Sequence, residues 1–409
     1  MARVDLRRVF IMVSALALTM IYAASWLGMI GDPVLRTGSD FIAFHAAGRI
    51  LETHGPARVY DLRLQQQAES EVLGRPIEQT DVFPFVHPAF IFPLLKLTID
   101  EDYSASFVRW AAVMLILFTA AGLVLARWGF EPPEKGLTGL AVTGAVLFFP
   151  AFISLANGQD TAILVLGCAL WAYGLSTERD WPAGLGLGLA VIRPHLALVL
   201  ALPFLFQRRR VWWGFFTAAS ALAIFSVILL GPDGTLNYLR ILAVSGSGQG
   251  YHTNEAGMVN LIGLLTRTAA WLPEAWIRAT GWIAYALSII WLCWLWRRSS
   301  DLSEKHIGLA VLVSLFAAPH LHYHDTALLL IPIFGLARIL VQNGQMKSTH
   351  AALLPLIVSL VLVFTYNPTL QYVGLHLVML LAGLWLWYPR DLERFIRNRR
   401  PVRPSKPIS

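Results

Sequence analysis

The chain has 409 residues, of which 56% are hydrophobic and only 14% charged. Soluble domains carry about a quarter charged residues, so a water-soluble enzyme is excluded. The formal net charge of +7 reads as basic loops retained on the cytoplasmic side and facing anionic lipid, not as a nucleic-acid surface.

Apolar runs of about 20 residues recur from the N-terminus to residue 388, the pattern of helices that cross a bilayer. Barrel strands would alternate in polarity, which these runs do not. The expected fold class is an all-α polytopic membrane protein. The first run, 9–30, follows Arg3, Arg7 and Arg8 and reads as an uncleaved span that leaves the N-terminus inside. Residues 31–106 then form a long outer segment. It opens with TGSDFIAFHAAGRILETHG (37–55), whose spacing predicts a helix over 40–53 with Phe41, Phe44 and Gly48 on one face. Its FPFVHPAFIFPLLKL stretch (83–97) is apolar but broken by Pro84, Pro88 and Pro93, so it reads as re-entrant or interfacial.

Residues 107–127 pass inward, 137–156 outward and 161–176 inward. The stretch 183–206 has basic residues at both ends, Arg179 before it and Arg208 to Arg210 after it, with Arg193-Pro194 in its middle. Two half-helices meeting there satisfy the charge rule, and broken membrane helices line cavities. The preceding GLGLGLA lacks the strand and lysine of a phosphate loop and reads as a close helix-packing surface. Residues 211–230 cross outward into an outer loop of about 45 residues, with an amphipathic piece near 257–270. Spans follow at 276–296, 307–319, 325–341, 351–366 and 372–388, and the basic tail 390–409 ends inside. The expectation is about ten full crossings plus one broken hairpin, with residues 1–389 as one transmembrane catalytic domain. Cys168 and Cys293 both lie in apolar runs and form no CxxC motif.

This threading brings four polar groups to the outer half of the membrane, where such residues are costly and default to function. Asp40 either accepts from the free N–H groups that begin helix 41–53, or serves as a general base, or does both. The turn Asn157-Gly158-Gln159-Asp160 offers Asn157 and Gln159 as substrate ligands. Arg193 needs either an acid or a wet cavity, and its planar donors suit a phosphate; His195 stands beside it. His320, His322, His324 and Asp325 form the last group. Imidazoles there could hydrogen-bond sugar or phosphate, bind a metal through His320 and His324, or simply sit at the interface.

Taken together, GSDFIAFHAAGRIL, GPARVYD, FPFVHPAFIFPLLKL, NGQDTAILVL, the AGLGLGLAVIRPHLALVLALPFLFQRRRVW block, GMVNLIGLLTR and SLFAAPHLHYHDTALLLIPI resemble, in order and spacing, glycosyltransferase family 87 of the C-type superfamily. The resemblance runs from about residue 10 to 340. It implies transfer of a sugar, mannose or another hexose, from a polyprenyl-phosphate donor to a glycolipid or glycan acceptor at the outer face of the cell membrane. It places the acceptor-activating acid at Asp40, the basic residue ahead of proline at Arg193 and a late histidine at His322 or His324. Two departures stand out: Val86-His87-Pro88 replaces a Tyr-Pro-Pro run, and Arg193-Pro194 replaces the commoner Lys-Pro. No cofactor is expected and no metal ligand is assigned. Attack opposite the phosphate would invert the anomeric carbon. A transporter or lipid flippase would share the broken helix and buried arginine but predicts internal repeats, which are not seen. A membrane acyltransferase or ligase would place its base on His322 or His324.

Overall fold

The computed structural model describes residues 6–32, 39–130, 135–247, 255–299, 301–366 and 372–387, and every regular element among them is helical. The first, α1 (Leu6–Gly31), presents Met12, Leu16 and Met20 outward. The next, α2 (Phe41–Thr53), buries Phe41, Phe44 and Gly48 as its spacing predicts. A Cβ on Gly48 would stand 2.6 Å from Ile99, so only glycine lets α2 approach that chain so closely. Behind it, α3 (Leu62–Leu73) starts at Asp61, whose carboxylate accepts from the N–H groups of Arg63 and Leu64, and stops at left-handed Gly74.

The Pro-broken stretch makes no crossing. Residues 82–88 have no regular structure, and a 3₁₀ turn over Ala89–Ile91 leads into the short helix α4 (Phe92–Thr98). The long α5 (Tyr103–Gly129) follows, capped by Asp102. Next come α6 (Lys135–Val146) and α7 (Phe149–Ala156), bent by 52° across the break at residues 147–148, and then α8 (Thr161–Ser176).

The glycine block becomes α9 (Asp180–Gly188), which packs between α8 and α11 (Arg209–Ser247). The contact is close: a Cβ on Gly167 would sit 2.8 Å from the Gly186 carbonyl. Lipid gives apolar helices no hydrophobic reason to associate, so small residues that let backbones touch supply the packing instead. After a 3₁₀ turn over Leu189–Ile192, the chain breaks at Arg193 (φ −124°, ψ 79°) and resumes as α10 (Pro194–Ala201). Proline disfavours helical geometry in the residue before it, which sets the break where the sequence placed it.

The 45-residue outer loop is corrected. In α11 the helix kinks at Gly231 (φ 63°) and Pro232, then continues to Ser247. Residues 248–254 of that segment lie outside the described residues, as do the NPTLQ turn and the basic tail. The remaining helices are α12 (Leu261–Thr268), α13 (Glu274–Arg298), α14 (Glu304–Ala317), α15 (Leu330–Gln342), α16 (Ser348–Ala351), α17 (Leu354–Thr365) and α18 (Val373–Trp387).

Six helical stretches among the described residues are long and apolar enough to cross a membrane, or seven if α6 and α7 form one bent span. The sequence predicts about ten because short apolar runs such as those of α8 and α18 also read as full crossings. Those have 16 and 15 residues.

One buried acid sits in the segment between α1 and α5. Glu69 on α3 is 1% exposed; its Oε2 accepts from the Phe83 N–H (3.0 Å) while Oε1 is buried without a partner. Burial pushes its pKa from 4.5 up to about 7. As pH rises between those values the unfolded chain ionises first, so stability falls across that window, by at most about 3 kcal/mol. Glu69→Gln keeps an acceptor for Phe83 and carries no charge. The expected result is a thermal midpoint, in detergent, that drops for wild type between pH 5 and 7.5 and stays level for the variant. Parallel curves for the two proteins would exclude this account.

Candidate active site

Four chain segments deliver the polar residues. Asp40 stands at the start of α2, Gln159 and Asp160 in the turn between α7 and α8, Arg193 at the break before α10, and His320 to Asp325 between α14 and α15. The turn is shaped by Gly158 (φ 67°), where a Cβ would come within 2.5 Å of Phe41, and whose carbonyl accepts from Trp110 Nε1 (2.8 Å). Only glycine fits there, and the tight turn aims both following side chains inward.

Arg193 is the hub. It is 8% exposed, beside Asp160 and Asp325 at 0% and 2%. Its Nη2 pairs with Asp160 Oδ1 (2.9 Å) and its Nε with Asp325 Oδ1 (3.2 Å). Nη2 also donates to Gln159 Oε1 (3.3 Å), and Nη1 to the Ile192 carbonyl (3.3 Å). Buried charges persist only when paired: Asp325 is both paired with and hydrogen-bonded to the guanidinium, while Asp160 is held by ion pairing alone.

Gln159 carries the network to the half-exposed Asp40. Its Nε2 donates to Asp40 Oδ2 (2.6 Å), while its Oε1 faces Arg193. A glutamine held at both ends cannot flip, so Asp40 keeps one oriented oxygen tied and Oδ1 without a partner among the described residues. The helix-capping role expected for Asp40 is not realised: it occupies the N-cap position, but with helical φ/ψ and no side-chain cap bond. Its carboxylate has turned to Gln159 instead.

The late histidines form a column. His320 and His322 meet edge to face at 4.8 Å, and His322 stacks on His324 at 6.0 Å. His324 Nε2 lies 3.6 Å from Asp325 Oδ2, and Thr161 Oγ1 donates to Asp325 Oδ1 (3.4 Å). His322 stands within electrostatic reach of Asp40 as well as Asp325. The helical face imagined for His320 and His324 does not exist, because the backbone is extended at His322 and 3₁₀ from Tyr323. Among the described residues no three His, Cys, Asp or Glu side chains are arranged to hold a metal ion.

Two predicted residues stand apart. Asn157 ends α7 through its backbone N–H and has no side-chain bond to the network among the described residues. His195 lies near Asp325, but its Nε2 is buried without a partner, and its carbonyl accepts from Tyr285 Oη (2.8 Å).

Two residues were missed as site members. Asp160 is the principal counter-ion of Arg193, and His87 Nδ1 lies 2.7 Å from Asp160 Oδ2. The first was legible in principle: a buried arginine demands an acid, and Asp160 was in hand beside Gln159. The second stood out only as a departure from the Tyr-Pro-Pro run, and its partners could not be read from the irregular segment that carries it.

The chain matches no curated protein and no solved structure. The family model for glycosyltransferase family 87 matches residues 84–319, more than half of the sequence. The match takes in His87, the Gln159-Asp160 turn and Arg193; it begins after Asp40 and ends just before His320. With that match set beside the apolar helices and the buried network, the chain belongs to glycosyltransferase family 87 and is a multi-pass membrane glycosyltransferase.

Proposed function

We propose that this enzyme takes its sugar from a polyprenyl-phosphate donor and passes it to an acceptor hydroxyl at the outer membrane face, with Asp40 as general base. The observation that carries the reading is the tie between Asp40 and Gln159, which orients one carboxylate oxygen and leaves the other for an acceptor. A lipid-linked sugar holds its reactive carbon at headgroup depth, where an active site between membrane helices can meet it. Its phosphate is already a good leaving group, so the protein needs a base on one side and hydrogen-bond donors on the other. Arg193 and the His322–His324 column supply the donor side. Displacement from the Asp40 side, opposite the phosphate, inverts the anomeric carbon. For the sugar we favour a hexose, mannose first, and for the acceptor a glycolipid or glycan, on the resemblance to the family alone.

The test is transfer in purified membranes given a panel of radiolabelled polyprenyl-phosphate sugars and, separately, nucleotide sugars. Label should pass to lipid or glycan from a polyprenyl-phosphate sugar alone. Transfer from nucleotide sugars in membranes stripped of lipid-linked donor would overturn the reading.

A further inference from the structure

The charges around Arg193 do not add up to a phosphate site. Three carboxylates, Asp40, Asp160 and Asp325, share one guanidinium, and two of them pair with it directly. A donor phosphate entering beside Arg193 would meet a cation already neutralised. Further positive charge from the protein must come from imidazoles, and one of them is held in an unusual way.

His87 sits at a bend near the end of the irregular stretch 82–88, fastened from several sides. Tyr60 Oη donates to its carbonyl (2.6 Å). Gln65 Oε1 accepts from the Phe85 N–H (3.0 Å) while its Nε2 donates to the Val59 carbonyl (2.8 Å), and Glu69 holds the Phe83 N–H. The ring lies against Phe44 of the Asp40 helix, with centroids 4.5 Å apart. Its Nδ1 is 2.7 Å from Asp160 Oδ2 and 3.2 Å from Arg193 Nη1. One nitrogen cannot donate to a carboxylate and accept from a guanidinium at once. A bare lone pair 2.7 Å from a carboxylate oxygen would be repulsive, so the proton stands on Nδ1. That leaves Nε2 with no bond to any described residue, and it is not sealed in the interior. The side chain is 11% exposed, enough for one nitrogen to face a ligand.

We propose that His87 is a further catalytic residue of the transfer: set between the Asp160 carboxylate at Nδ1 and the bound phosphate anion at Nε2, its ring takes up a second proton from solvent and donates Nε2–H to the departing phosphate. In that step the bond from the anomeric carbon to the phosphate oxygen breaks, and its electron pair stays on the phosphate. The acceptor oxygen bonds to the same carbon and yields its proton to Asp40. His87 keeps its proton and contributes a charge-assisted hydrogen bond, which strengthens as charge develops on the leaving oxygen. Asp160 is a positioning residue here, because it acts through the ring. This proposal rests on the polyprenyl-phosphate reading above.

Binding separates the two ideas. Farnesyl phosphate and farnesol are titrated against detergent-purified wild type and His87→Gln, whose amide can still reach Asp160. Wild type should prefer the phosphate, and the variant should bind it about tenfold more weakly, one charge-assisted bond's worth, with farnesol unchanged. A variant that keeps the full preference would overturn the role of His87 and leave the donor reading standing. Wild type with no preference for the phosphate would overturn both. A second measurement needs no variant: farnesyl phosphate should protect His87 of the native enzyme from diethyl pyrocarbonate, read by mass spectrometry. Equal modification with and without the lipid would also sink the proposal.

Discussion

Asp40→Asn is expected to abolish sugar transfer, with a loss of about 10³-fold or more, while the protein folds and melts as wild type does. General-base catalysis contributes about 10² to 10⁴, and an amide cannot take up the acceptor's proton. The substitution is otherwise mild. The asparagine oxygen can still accept from Gln159 Nε2, so the tie that orients residue 40 survives. No stability should be lost through the helix end, because the carboxylate makes no cap bond there. Asp40→Glu supplies a further check, since it keeps the charge but pushes the oxygens one methylene deeper; a partial loss of about tenfold to a hundredfold would mark geometry as the second requirement. The measurement is the initial rate in membranes holding equal amounts of each protein. Transfer by the asparagine variant within threefold of wild type would assign the base elsewhere, with His322 the next residue to test.

Arg193→Met should damage the fold before it damages catalysis. Removing the guanidinium leaves Asp160 and Asp325 buried, 0% and 2% exposed, with no arginine between them. Breaking a buried ion pair from one side costs about 3–5 kcal/mol, a large share of a typical stability. Loss of the folded species, or a sharply lowered thermal midpoint, is the expected result. Neutralising the stranded acids as well, in Arg193→Met with Asp160→Asn and Asp325→Asn, should recover most of the midpoint and none of the activity. Arg193→Lys should fall between, since an ammonium is a point charge and cannot bridge two aspartates and Gln159 in one plane. If the methionine variant alone melts with wild type, the charge network is not what holds these segments together.

The two substitutions separate two roles that the sequence had run together. Asp40 is half-exposed and tied by one bond, so it is free to react. Arg193 is buried and committed to several partners, so its first task is to assemble the site. Its expected role as the phosphate cation is shared out in consequence. That is why the imidazoles, and His87 in particular, matter to the chemistry of the leaving group.

The membrane class, the helix at Phe41–Thr53, the close packing of the glycine block and the break at Arg193 were all determined by the sequence alone. Each depends on local physics: hydropathy over a helical window, the space a missing Cβ leaves, and the backbone restriction ahead of proline. Gly231 and Pro232 break α11 where the sequence signals a stop, but the chain resumes as helix to Ser247 where a loop was expected. Only the tertiary structure decided who pairs with whom. Gln159 reaches Asp40 across 119 residues, and Arg193 reaches Asp325 across 132. Those partnerships follow from how the helices pack, and no local pattern encodes them. A lone buried charge announces that it needs a partner; which partner it finds depends on the fold that brings them within hydrogen-bonding distance.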